Sequence, residues 1–203
     1  LRFTSGTASS GASGYIQIAT GSATNGEGGD ILVSVGKSKT DPGGDVVVTA
    51  GHSEPFSGGA ISIASGEGTT DTSGAIIVKT MNAGVSGVSG MLSFTSGTAS
   101  SGTSGHFNIF TGSATNGKGG DMLLSIGSGT TKTGGDIVMT AGLSTATSVG
   151  TGGAISVSTG EGESTSSGAL IVATVNAGTS GVSGALRFTS GTASSGASGY
   201  IQI

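Results

Sequence analysis

The chain has 203 residues, 43 of them glycine, with no cysteine, 9% charged and 4% aromatic residues, and a formal net charge of −4. That composition excludes disulfides and thiolate metal sites, and seven scattered Lys and Arg exclude the clustered basic face that nucleic acid requires. No apolar run approaches the roughly 18 residues needed to span a bilayer, which argues against membrane insertion, while a mean hydropathy of +0.22 is too high for a highly charged disordered segment.

The elements repeat from one end to the other. Units begin at Leu1, Ile16, Ile31, Val46, Ile61, Ile76, Leu92, Phe107, Met122, Ile137, Ile155, Leu170, Leu186 and Ile201, in steps of 15 except for 16 after Ile76 and Leu170 and 18 after Ile137. Six units form a higher-order repeat: the segment from Leu1 returns at Leu92, and GSATNGEGGD at Gly21 returns as GSATNGKGGD at Gly112. Super-repeats of 91 and 94 residues give a full period of 185, since Leu186 to Ile203 copies Leu1 to Ile18. Residues 1–203 therefore read as one continuous array, and the copied ends predict a window of a longer fibre.

Within a unit the first five residues alternate in the manner of a strand, as in Ile16, Ile18 and Thr20 against Gln17 and Ala19. Positions 1 and 3 are apolar throughout. Position 6 is Gly except at Met81 and Val175, position 8 is small, and each unit closes with Gly-Gly or Ser-Gly, where glycine suits a tight corner with positive φ. One unit has too few large side chains to fold alone, because burying each contributes roughly 1.5–3 kcal/mol while ordering each backbone costs about 1–2 kcal/mol.

So uniform a unit predicts an all-β fold, a β-solenoid with 15-residue rungs, parallel in-register stacking and no caps. Position 1 would stack on position 1 of the next rung about 4.8 Å away. An antiparallel meander or a three-chain triple β-spiral is the competing arrangement, and both put like positions in unlike surroundings.

The GSATNGxGGDI-like units resemble the Gly/Ser/Thr-rich tandem-repeat fibre proteins of algal and protist cell surfaces. The resemblance covers the whole chain and implies an extracellular or cell-surface location and a structural or adhesive role, with no catalytic residues carried across.

Candidate sites are few. Asp follows the closing glycines at Asp30, Asp45, Asp121 and Asp136, and stacked carboxylates of this kind could share a calcium ion, although the spacing departs from that of calcium-binding β-rolls. The ordinary reading is a turn-capping Asp. His52 and His106 occupy different unit positions and have no recurring acid partner, so no nucleophile and base pair emerges. The glycines form no phosphate loop, as GxxxxGK[ST] is absent. The outward position 2 is aliphatic at Leu32, Val47 and Ile77 and again at Leu123, Val138 and Ile171, which marks candidate lateral contacts.

These features predict a non-enzymatic structural protein without a cofactor, a filament or adhesin stalk that associates end to end and laterally with its own copies. The alternatives are an ice-binding β-solenoid and a calcium-stabilised adhesin or phage-fibre-like shaft. Ice binding needs flat ranks of Thr at positions 2 and 4, which Lys79 and Phe110 interrupt.

Overall fold

The computed structural model describes residues 1–130, 133–146 and 150–203. Among them there is no strand and no helix, so the expected β-solenoid with parallel in-register stacking is not the fold of this chain. The reason lies in where the backbone hydrogen bonds go. A ladder needs bonds from one unit to the next, whereas the bonds formed here close a unit on itself: Gly59 N–H donates to Gly51 O at 2.9 Å, Gly74 to Gly66 at 3.0 Å, Gly153 to Gly142 at 2.8 Å and Gly168 to Gly160 at 3.0 Å.

Closure brings the last glycine of the unit, position 14, against position 5. A Cβ on Gly29 would stand 3.3 Å from Thr20 Cβ, one on Gly44 2.9 Å from Val35 Cγ1, and one on Gly135 2.8 Å from Ile126 Cγ2. Real Cβ atoms do not come under 3.0 Å, so in the Val35 and Ile126 units the closing residue has to lack a side chain. The same pairing recurs at wider spacing, for instance in Gly120 against Thr111 and Gly168 against Thr159. In the second unit the Thr20 hydroxyl adds a bond, donating to Gly29 O at 2.8 Å.

Positive φ, expected at the closing pairs, falls instead at Gly11, Gly102 and Gly196, with φ of 90°, 104° and 110°. These are one unit position, repeated every six units, and only glycine adopts it without strain. Position 8 turns the corner in several units. The Ser38 and Ser53 hydroxyls accept from the N–H of Asp41 and Phe56, at 3.1 and 3.2 Å, a local turn typical of serine. Where position 8 is glycine, a Cβ on Gly68 would meet Asp71 O and Thr72 O at 2.5 Å.

The chain divides into two units, Leu1–His106 and Phe107–Ile203. Neither has a core: no residue is buried among those described, and Ala50, Ser53, Ala141, Ser144 and Gly162 alone are half-buried. The accessible surface is 20278 Å², against about 8,000 Å² for a folded monomer of this mass. Position 3, apolar in every unit, is exposed at Phe94 and Phe188.

Candidate functional site

Sidedness survives without a sheet. Along the unit from Ile31, Val35 at position 5 is 47% exposed while Leu32 at position 2 is 87% exposed; in the equivalent unit Ile126 is 46% and Leu123 87%. Alternation in an extended backbone accounts for this, because successive side chains point to opposite sides. Odd positions lie toward the closing glycine and even positions lie away from it. The lateral candidates Leu32, Val47, Ile77, Leu123, Val138 and Ile171 all lie on the open side.

The odd side is not covered either. Ile16, Ile31, Ile61 and Ile76 at position 1 remain about half exposed, and position 3 is more open still. Every unit thus carries a half-sheltered apolar side at positions 1 and 3, joined at position 5 by Val35 and Ile126, and three units of every six add an open aliphatic side chain at position 2. The faces recur with the six-unit period.

Charged groups are sparse and exposed. Lys118 Nζ lies 2.7 Å from Asp121 Oδ1 and donates to Oδ2 at 2.8 Å, with both side chains 78% exposed. The apolar pattern gives no sign of this pair, although the GKGGD spacing does, since Lys and Asp three residues apart around a turn can meet. Asp121, one of the four calcium candidates, is therefore engaged by a cation of its own chain. Asp30, Asp45 and Asp136 are exposed, and no three His, Cys, Asp or Glu residues gather among the described residues. Asp41 and Asp71 take part in turns: the Thr40 hydroxyl donates to Asp41 Oδ2 at 2.9 Å, and Thr72 N–H donates to Asp71 Oδ1 at 2.8 Å.

His52 and His106 are exposed, and no pocket forms among the described residues. No helix among those residues is long and apolar enough to cross a membrane. Comparison with family models, curated proteins and solved structures gives no match to this chain.

Proposed function

We propose that the chain is a structural, non-enzymatic protein that builds a filament or adhesin stalk by associating with copies of itself, end to end and laterally, outside the cell or at its surface. One observation carries this reading: apolar side chains recur at fixed unit positions on both sides of the chain, and none of the described ones is buried. The surface in excess of a folded monomer's is on the order of 12,000 Å², several times the roughly 1,600 Å² of a standard interface, so more than one neighbour is needed to cover it. A chain this apolar and this weakly charged has little to keep it dispersed once such faces meet.

A second copy is the natural cover because its faces share the same period. The cell-surface setting rests on the resemblance of the GSATNGxGGDI-like units to algal and protist fibre proteins. Sedimentation of the purified chain over a range of concentrations, with electron microscopy of the pellet, tests the reading. Fibres above a threshold concentration are expected, and a chain that stays monomeric at the highest soluble concentration would overturn it.

A further inference from the structure

Self-association of a repeat chain leaves its register open, because a shift of six units superposes apolar positions on apolar positions as fully as no shift does. The charges are not so tolerant. Glu27 in the first super-repeat becomes Lys118 in the second, and Asp41 becomes Lys132. Both reversals are separated by the same 91 residues, the length of one super-repeat. Lys132 lies outside the described residues and enters through its sequence position alone.

Glu27 and Lys118 also follow equivalent bends in their units. The chain bends at 24–26 and at 115–117, and a Cβ placed on the closing glycine would stand at nearly the same distance from position 5 in each, 3.3 Å from Thr20 Cβ for Gly29 and 3.4 Å from Thr111 Cβ for Gly120. What differs is the charge. In the unit from Ile16, Glu27 and Asp30 are two carboxylates three residues apart, with no Lys or Arg between them; in the unit from Phe107, Lys118 occupies the position of Glu27 and binds Asp121.

We infer that a second copy of this chain lies parallel to the first and six units out of step, with Lys118 of one copy against Glu27 and Asp30 of the other. The inference rests on the self-association proposed above and adds its register. With no stagger, every charge would face its own like: Glu27 on Glu27, Lys118 on Lys118, Asp41 on Asp41. A stagger of six units turns two of these positions into opposite pairs, and sets Lys37, Lys39 and Lys79 against the neutral Ser128, Thr130 and Ala173. The like pairs that remain, Asp30 with Asp121, Asp45 with Asp136 and Glu67 with Glu161, are acidic in either register and do not discriminate. An antiparallel arrangement cannot satisfy both reversals, because a pairing that joins 27 to 118 then joins 41 to 104, which is Ser104. Exposed ion pairs add little affinity, so their role here is to select among registers that apolar contacts leave nearly equal.

The chain lacks cysteine, so single introduced thiols report the register directly. Asn25→Cys and Asn116→Cys sit in the two equivalent bends and leave every charge in place. Equal amounts of the two variants are assembled together at low salt and treated with a short bismaleimide, and the cross-linked dimers are identified by mass spectrometry. The staggered register joins the thiol of the Asn25→Cys chain to that of the Asn116→Cys chain, about tenfold in excess over the like products. The excess should shrink as salt screens the pairs, and adding Glu27→Lys to the Asn25→Cys chain should abolish it. Like products in excess, a statistical mixture, or fibres without cross-links would overturn the register while self-association stands. Absence of assembly by sedimentation would overturn both.

Discussion

Gly44 lies so close to Val35 that a Cβ on the glycine would stand 2.9 Å from Val35 Cγ1. Val35 is β-branched and stiff at χ1, so it has little freedom to turn away. Gly44→Ala is therefore expected to open that unit, as is Gly135→Ala against Ile126. Gly36→Ala is the control, because a Cβ there meets nothing within 4 Å. Contacts between residues 35 and 44, read as nuclear Overhauser effects, should vanish in Gly44→Ala and persist in Gly36→Ala.

The closing hydrogen bonds set a second expectation. Gly59, Gly74, Gly153 and Gly168 donate to carbonyls of their own units, so their amides should exchange with solvent more slowly than those of the open Gly6 and Gly21. These bonds are solvent-accessible, and protection of roughly tenfold or less suits a net worth of about 1 kcal/mol each. Equal exchange at all of these glycines would mean that the units do not stay closed in solution.

Phe188 separates the isolated chain from the assembled one. It is 61% exposed, so Phe188→Ala should change the dispersed chain by no more than about 0.5 kcal/mol. Within a fibre the same side chain gains roughly 1.5–3 kcal/mol on burial, so the substitution should raise the threshold concentration for assembly about tenfold or more. The threshold is read by sedimentation. An unchanged value would place the aromatic side chain outside the association surface.

Lateral growth is assigned to position 2. Replacing Leu32, Val47, Leu123 and Val138 with Thr keeps the β-branched or extended habit of the chain and removes the open apolar face. Fibres of the variant should be thinner in electron micrographs. Full width retained in the variant would assign sideways packing to another face.

The repeat, its six-unit modulation and the two sides of each unit were legible in the sequence, because apolar alternation and glycine spacing are local properties. The recurrence of positive φ at Gly11, Gly102 and Gly196 follows the same period. Strand formation was not legible. A pattern such as Ile31, Val33 and Val35 says which side chains share a face, whereas a ladder depends on bonds to another unit, and here the bonds of Gly74 and Gly168 turn back within their own. The closing glycines read as corners needing special dihedrals; their contacts with Val35 and Ile126 show that they make room for a neighbour. Of the candidate residues, the open placement of Leu32 and Leu123 followed from alternation, while the Lys118–Asp121 pair was signalled only by the GKGGD spacing, which an apolar reading passes over.

Closure is indifferent to what lies inside it. From Ala50 to Gly59 the chain takes nine steps and from Ala141 to Gly153 twelve, yet the closing bond is 2.9 Å in the first and 2.8 Å in the second, and a Cβ placed on the glycine would stand 3.4 Å from the alanine Cβ in both. The two ends of the loop meet in the same way although the second stretch is three residues longer. Because the closing contact tolerates both lengths, the stretch between position 5 and the closing glycine is where a tag, a binding peptide or a cleavage sequence is expected to be accepted with least disturbance.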